Sequence, residues 1–431
     1  MFENNTDDNQ ASASSPTRTQ CPKCHATVPV YEGFPTWCDQ CGWNQGNPTA
    51  EPPRGRLQRL FEKWAKKQNR LRFQQVLRDA SLPTVRKLTP ARLVAYGAAG
   101  LVHSLTVAAF ALGIWFLFLD IHLIFRILFA VICFLLSAVL FPRLHFSIPH
   151  NPLSREQFPG LYRLANEIAQ ALHCRPVECI AITGNVFNAS MVRMKWTRRR
   201  YLDLGLPLLT VLSPQERVAL IGHELAHTVV GDPFEELFVH AAMDSLRGWI
   251  QVLRPDAMPF LTAVLVFPIT IVRYALIYLA NLLWYALLVL LWGESQLSEY
   301  FADLLGARIG GTTASLDGLR KLPLGRVYDA WEYAARVDGT GATFFADLRS
   351  RFARVPEREY ERLRRVQEAS RDEVTTTHPP LARRQEFLRA NYMQTPAYEP
   401  SPETLAQVES ELLLLCQQAQ VKMFRLAPPA A

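Results

Sequence analysis

The sequence predicts an α+β, predominantly α-helical, integral membrane protein with two apolar hairpins and a small N-terminal zinc ribbon. Three observations predict this fold: long unbroken apolar runs, short alternating stretches between helix-like segments, and two closely spaced cysteine pairs near the N-terminus. With 431 residues, the chain is long enough for more than one domain.

The first hairpin is predicted from two neighbouring apolar runs. Residues 93–119 and 121–141 each reach the length of about 20 apolar residues that a helix needs to cross a bilayer. Only Asp120 separates them, so the turn between the spans must be very tight. We therefore predict a transmembrane hairpin at 93–141.

A second apolar segment, residues 257–292, is interrupted by Pro268, Arg273 and Asn281. It is too long for one span and too short for two comfortable ones, because a helix rises about 1.5 Å per residue and the hydrocarbon core is about 30 Å thick. We predict a second transmembrane or re-entrant hairpin here. A buried helical pair inside the globular part is the open alternative.

The segments before the first span indicate where the N-terminus lies. Residues 1–20 are polar and are expected to form a disordered tail, with no signal peptide. Residues 49–92 form a basic juxtamembrane linker that contributes much of the formal charge of +7 and predicts a cytoplasmic N-terminus. Anionic lipid headgroups explain this charge, so nucleic-acid binding is the weaker interpretation.

Residues 21–48 carry two CxxC pairs, and such pairs in a reducing compartment are metal ligands more often than disulfides. We predict a structural zinc ion in a ribbon that contacts an adaptor or a substrate. Its aromatic residues are expected to form a miniature core rather than a surface for stacking nucleic-acid bases. The cysteines are Cys21, Cys24, Cys38 and Cys41, and the aromatic residues are Tyr31, Phe34, Trp37 and Trp43.

The soluble segment at 142–256, the first part of the predicted catalytic domain, combines a helix at 158–173 with strands at 176–183, 185–193 and 201–212. A second helix follows, and its start is marked by Ser213-Pro214-Gln215-Glu216. This sequence is a capping box with proline at the first helical position.

This second helix carries His223, Glu224 and His227 in an HExxH pattern. A spacing of four residues brings both imidazoles onto one helical face, where they can bind one zinc ion. Glu224 is offset around the helix and can accept a proton from a zinc-bound water. The pattern therefore predicts a catalytic zinc ion, with Glu224 as general base and then as proton donor to the leaving amine.

Two histidines leave a tetrahedral zinc site one protein ligand short. The second part of the predicted catalytic domain, 293–398, offers Glu299 and Asp303 one turn apart on a helix that ends at Gly310-Gly311. We predict Glu299 as the third ligand. Asp303 can hold the outer N–H of a ligand histidine. The remaining segment, 399–431, is expected to form a C-terminal helix that packs on the catalytic domain, and a tail.

Four motifs together make the chain resemble a known family. They are HELAH at 223–227, EYFAD at 299–303, VFNAS at 186–190 and THPPLARR at 377–384. Over roughly residues 90–395 the chain resembles the HtpX-type membrane-bound zinc metallopeptidases, which are gluzincins related to the CAAX prenyl proteases. The N-terminal ribbon departs from the plain pattern of that family.

The resemblance implies a zinc metalloendopeptidase of a bacterial cytoplasmic membrane, with its catalytic domain in the cytoplasm. Its substrates would be polypeptides, mainly membrane proteins under quality control. Asn188 and Ala189 would line the cleft and bind an extended substrate. His378 and Arg384 would be catalytic, either stabilising an oxyanion or anchoring Glu299, and the adjacent Arg383 is not excluded from the role of Arg384.

Three alternatives remain open at this point. The weakest is a transporter or sensor that uses the intramembrane Arg126 and Arg273. The chain could be a catalytically silent zinc-ribbon adaptor or scaffold, although the intact Glu224 argues against it. His378 could cap a helix and Arg384 could make a surface ion pair, without any part in catalysis.

Overall fold

The protein is described here by a computed structural model that covers residues 17–31, 34–43, 56–78, 90–141, 151–193, 200–230, 237–254, 267–369 and 378–425. The expected N-terminal tail up to residue 16, the ends of the basic linker and the C-terminal tail from residue 426 lie outside the described residues.

The N-terminal module opens with a two-stranded antiparallel sheet, β1 (Thr17–Gln20) and β2 (Thr27–Val30). Thr17 lies opposite Val30 and Gln20 lies opposite Thr27. Residues 17–20, which we expected in the disordered tail, therefore pair with the module and extend it towards the N-terminus.

Two long apolar helices form the tight hairpin that the sequence predicts, α2 (Pro90–Phe118) and α3 (Leu123–Leu140). The Ser137 hydroxyl donates to the Thr106 carbonyl at 3.1 Å and the Thr106 hydroxyl donates to the Leu140 carbonyl at 3.2 Å, so these two polar side chains inside the hairpin have partners. Large apolar side chains point outward along both helices, and Phe118 is 82% exposed. Such a continuous apolar surface suits lipid rather than water.

The second apolar segment differs from the hairpin that we expected. From Phe267 onward it belongs to one helix, α8 (Phe267–Gly310), which is preceded by α7 (Leu237–Leu253). Residues 255–266 lie outside the described residues. Pro268 stands in the first turn of α8, where a proline is tolerated because its missing N–H would have no helical partner.

Two polar residues inside the apolar half of α8 donate to carbonyl groups of the backbone. Arg273 donates to the carbonyl oxygens of Leu253 at 3.0 Å and Arg254 at 2.9 Å. Asn281 donates to the Ile277 carbonyl at 2.8 Å. By length and composition, α2, α3 and the stretch Ile269–Gly310 of α8 are each able to cross a membrane.

The basic linker contains a packed helix, α1 (Arg56–Arg78), which runs alongside α8. Trp64 contacts Trp292 with ring centroids 6.0 Å apart, and further along Phe73 contacts Tyr300 at 5.8 Å. The opposite face of α1 leaves its lysines exposed. The linker is therefore an amphipathic helix that is anchored on the helix carrying Glu299.

The main core surrounds a three-stranded sheet of order β3-β5-β4, formed by β3 (Cys179–Thr183), β4 (Ala189–Arg193) and β5 (Arg200–Gly205). β3 runs parallel to β5, whereas β4 is antiparallel to β5 and forms an edge of the sheet. The strand expected at 201–212 ends at Gly205. The chain then continues as a buried helix, α5 (Leu206–Val211), with Pro207 in its first turn.

Helices enclose this sheet. α4 (Pro159–Ala171) and α6 (Pro214–Val230) precede α8, and a C-terminal helical layer follows it. The layer contains α9 (Thr312–Lys321), α10 (Gly325–Val337), α11 (Phe344–Ala353), α12 (Glu357–Ala369) and α13 (Leu381–Ala390).

The last helix, α14 (Pro402–Phe424), packs on the catalytic part as expected. Its buried Glu411 carboxylate accepts the backbone N–H groups of Gly160 at 2.6 Å and Leu161 at 2.8 Å. These N–H groups lie in the first turn of α4 and have no acceptor within that helix. Glu411, from the far end of the sequence, therefore caps α4.

Candidate active site and metal centres

The helix α6 that carries the HExxH pattern is fixed at its N-terminus by the capping box. The backbone N–H of Glu216 donates to the Ser213 hydroxyl at 3.3 Å, and the Ser213 N–H donates to the Glu216 carboxylate at 2.7 Å. Glu216 also binds Lys321 of α9 at 2.6 Å. The start of α6 is thereby tied to the C-terminal layer.

Helices α6 and α8 pack closely through glycines. A β-carbon at Gly306 would lie 2.9 Å from the Ala219 carbonyl oxygen, and one at Gly310 would lie 2.7 Å from Ala219 atoms. A side chain at either position would force the helices apart. Gly310 was expected only as a helix end, although small residues spaced four apart are a recognisable sign of close helix packing.

Three side chains converge between these helices. The Nε2 atoms of His223 and His227 are 3.3 Å apart, and Glu299 oxygens lie 3.7 Å and 3.5 Å from those two atoms respectively. Two ligand atoms on a tetrahedral zinc ion, each at about 2.0–2.1 Å from it, would be about 3.3–3.4 Å apart. The residues therefore fit a zinc ion held by two imidazoles and one carboxylate.

Asp303 links the candidate ligand His223 to a buried arginine. Its Oδ1 lies 3.0 Å from Nδ1 of His223. Arg384 donates two hydrogen bonds to the same carboxylate, at 2.7 Å and 2.6 Å. This arrangement orients the His223 ring so that Nε2 faces Glu299.

The environment sets the pKa values of the two histidines differently. Burial lowers the pKa of the His227 imidazole to about 4, which keeps it in the neutral form that binds metal. Burial acts in the same direction on His223. There the hydrogen bond and the charge of Asp303 outweigh burial and raise the pKa above its ordinary value.

Glu224 is buried beside the ligands and faces the edge strand. Its Oε2 accepts the backbone N–H of Met191 at 3.0 Å. Burial raises the pKa of this carboxyl group to about 7, against the opposing charge of His223. A carboxyl group with such a pKa is suited to accept and return a proton near neutral pH.

His378 and Arg384 contact different carboxylates of the site. Nδ1 of His378 lies 2.8 Å from the Glu299 carboxylate. This contact corresponds to the anchoring of Glu299, one of the two roles expected for His378. Arg384 binds Asp303 instead, a partner that we did not expect. The neighbouring Arg383 lies over the ring of Phe73 on α1, 4.5 Å from its centroid, and does not line the cleft.

An open cleft with a cavity volume of about 110 Å³ leads to Glu224 and His223. Asn188 and Ala189, expected to bind substrate, both line it. Its remaining wall is largely apolar and is formed by residues of α5, α6 and α9 and the turn after α9: Leu208, Leu212, Leu220, Gly318, Leu319 and Leu322.

The four ribbon cysteines also come together. Their sulfur atoms lie within 4.8 Å of one another, with Cys21 3.5 Å from Cys41 and Cys24 3.6 Å from Cys38. Sulfur atoms bound to one tetrahedral zinc ion, at about 2.3 Å each, are about 3.8 Å apart. The four cysteines, which form no disulfide, are therefore spaced to bind one zinc ion.

Two imidazoles and a carboxylate that fit zinc, with a second carboxylate beside an open cleft, define a zinc metallopeptidase of mostly helical fold. Comparison with protein families supports this class. The model of peptidase family M48 matches residues 157–391, more than half of the chain. The chain belongs to peptidase family M48. Comparisons with curated proteins and with solved structures gave no match.

Proposed function

We propose that this M48 metallopeptidase is an endopeptidase embedded in a bacterial cytoplasmic membrane, where it cleaves extended segments of membrane proteins under quality control. The observation that carries the proposal is the convergence of His223, His227 and Glu299 beside Glu224, at the inner end of a cleft that is bordered by an edge strand. Three apolar helices support the membrane location.

In the proposed reaction the chain's own residues hold the metal and move the proton. A zinc ion held by His223, His227 and Glu299 would supply Lewis acidity and lower the pKa of water bound to it. The Glu224 carboxylate accepts the proton of the attacking water and returns it to the leaving amine. Asp303, held by Arg384, keeps the His223 ring in the orientation that binding requires.

The edge strand β4 offers a way to bind substrate without reading much sequence. The Asn188 carbonyl accepts the Gly205 N–H at 2.8 Å, so in the alternating antiparallel ladder Ala189 and Met191 turn their backbone groups away from β5. The Met191 N–H already reaches Glu224 on that side. An extended polypeptide that pairs with this edge would lie across the site.

The topology that we propose places the ribbon and the catalytic part in the cytoplasm, which requires an even number of crossings, so α7 would cross beside α8 as the other half of a second hairpin. The excess of basic residues in segment 49–92, just before the first span, supports this orientation. The second proposed zinc ion, in the ribbon, is structural.

Cleavage of casein and of an unfolded membrane protein by the purified zinc-loaded chain tests the proposal, with Glu224→Gln as the matched variant. The amide is isosteric with the carboxylate but cannot take up the proton. We therefore expect the variant to keep its zinc and to lose activity by on the order of a thousandfold or more. Equal activity in both proteins would refute the role of Glu224.

Metal content separates the enzyme from the silent scaffold. Two zinc ions per chain, one of which disappears with the ribbon cysteines, support the proposal. A single ion that disappears with those cysteines would instead indicate a scaffold with an empty peptidase site.

A further inference from the structure

The ribbon packs against the C-terminal helical layer of the catalytic part through two of its aromatic residues. Trp37, only 5% exposed, lies between two arginines of α12. The guanidinium groups of Arg358 and Arg365 stand 4.4 Å and 4.9 Å from the centre of its ring. Cation–π contacts of this kind gain strength when the groups are withdrawn from water, and here the Trp37 ring is buried and the Arg358 side chain is only 21% exposed.

The same two arginines also hold the ribbon backbone. Arg358 donates to the Trp37 carbonyl at 3.1 Å, and Arg365 donates to the Asp39 carbonyl at 3.0 Å. Arg358 further approaches the Asp39 carboxylate at 3.6 Å. We call this set of contacts among Trp37, Asp39, Arg358 and Arg365 the arginine clamp.

A second aromatic contact lies beside the clamp. Phe34 packs edge-on against Trp331 of α10, with ring centroids 6.5 Å apart. The miniature core that we expected for all four aromatic residues therefore contains Trp43, whereas Phe34 and Trp37 face the catalytic part. These two rings are already packed against protein and do not form a free surface for nucleic-acid bases.

The clamp is adjacent to the ribbon's metal ligands in sequence. Trp37 and Asp39 flank Cys38, so a metal ion that fixes the Cys38 thiolate also fixes the two residues that the arginines hold. Zinc ribbons fold only when their metal is bound, so the clamp requires the metal. Helix α12 in turn packs against α13, which carries Arg384.

We propose that Trp37, Arg358 and Arg365 are positioning residues that link the ribbon's metal to the catalytic part. Metal binding at the four cysteines closes the clamp on α12 and stabilises the layer that supports Arg384, and loss of the metal opens it. Linkage of this kind is reciprocal. A substitution on α12, more than 300 residues along the chain from the ribbon, must therefore weaken the ribbon's hold on its metal.

Alkylation of the individual cysteines in the full-length protein, followed by mass spectrometry in the presence of a zinc chelator, tests this linkage independently of activity. Metal-bound thiolates are protected, and the buried Cys416 serves as an internal reference. We expect the double variant Arg358→Gln, Arg365→Gln and the single variant Trp37→Ala to accelerate alkylation of the ribbon cysteines about tenfold. Trp37→Phe keeps an aromatic face and should remain within about threefold of wild type.

Arg364→Gln is the matched control, because this neighbouring arginine on α12 pairs with Glu361 at 2.7 Å. It should behave like wild type. The reverse measurement uses Cys21→Ser with Cys24→Ser, which should accelerate amide hydrogen exchange throughout α12. Because linkage acts in both directions, a wild-type result in either the α12 double variant or the cysteine variant would overturn the proposal.

Discussion

Gly310 lies so close to Ala219 that an added β-carbon would stand 2.7 Å from three of its atoms. The contact joins α6, which carries the two histidines, to α8, which carries Glu299. It lies about one helical turn before His223. The distance between these helices determines whether the imidazoles and the carboxylate can reach one ion. Close packing of small residues is therefore a condition for the site.

Gly310→Val should separate the two helices and weaken metal binding. Overpacking of this kind costs about 1–3 kcal/mol of folding stability, and we expect catalytic zinc affinity to fall at least tenfold. Zinc titration and thermal unfolding check both effects. Gly318→Ala is the control, because a β-carbon there meets only Leu212 at 3.9 Å. That variant should match or exceed wild-type stability by up to about 1 kcal/mol.

Asp303→Asn should lower zinc affinity by about 10- to 100-fold, because the amide supplies less charge to His223 and leaves the buried Arg384 without its ion pair. Isothermal titration with zinc measures the change. Asp317→Asn provides the control, since this more exposed carboxylate only approaches Arg320 at 3.8 Å on the surface of α9. If both variants bound zinc equally well, the proposed link from Arg384 to His223 would be refuted.

Met191→Pro should test strand addition at β4. Proline removes the N–H that Glu224 accepts but disturbs no bond to β5, since that group points away from β5. We expect kcat/KM for an unfolded substrate to fall about 10- to 100-fold with zinc content unchanged. Met191→Leu keeps the N–H and should retain activity. An active proline variant would contradict substrate pairing at this edge.

Glu411→Ala should lower the free energy of unfolding by about 1–3 kcal/mol, because it leaves two buried N–H donors of α4 without their acceptor. Chemical denaturation gives the value. The exposed Glu403 on the same helix is the comparison, and Glu403→Ala should change stability by less than about 0.5 kcal/mol. Similar losses in both variants would argue against the cap.

Much of the site could be read from sequence because its signals are local. The HExxH spacing and the capping box at Ser213 each occupy a single helical segment, and Glu299 follows on another. The partner of Arg384 could not be read in this way. Asp303 lies 81 residues earlier in the chain, and only the packing of α13 against α8 brings the two together.

The fold was harder to predict where composition alone had to locate an element's end. Residues 267–292 are apolar on every face apart from Arg273 and Asn281, and such a run carries no period that distinguishes a hairpin from one long helix. In the structure this run continues as a single helix through Glu299, and it packs against α1 and α7. Similarly, the position of Trp37 depends on arginines that are distant in sequence.

Because α8 is one continuous helix, it fixes the distance between its apolar half and Glu299. Glu299 stands seven residues beyond Trp292, where the apolar run ends, a rise of about 10 Å along the axis. In the membrane location proposed above, with the apolar half in lipid, the candidate zinc site would stand at that height above the hydrocarbon boundary. A membrane-protein substrate of the proposed kind would then have to extend its scissile bond at least that far from the lipid to be cleaved.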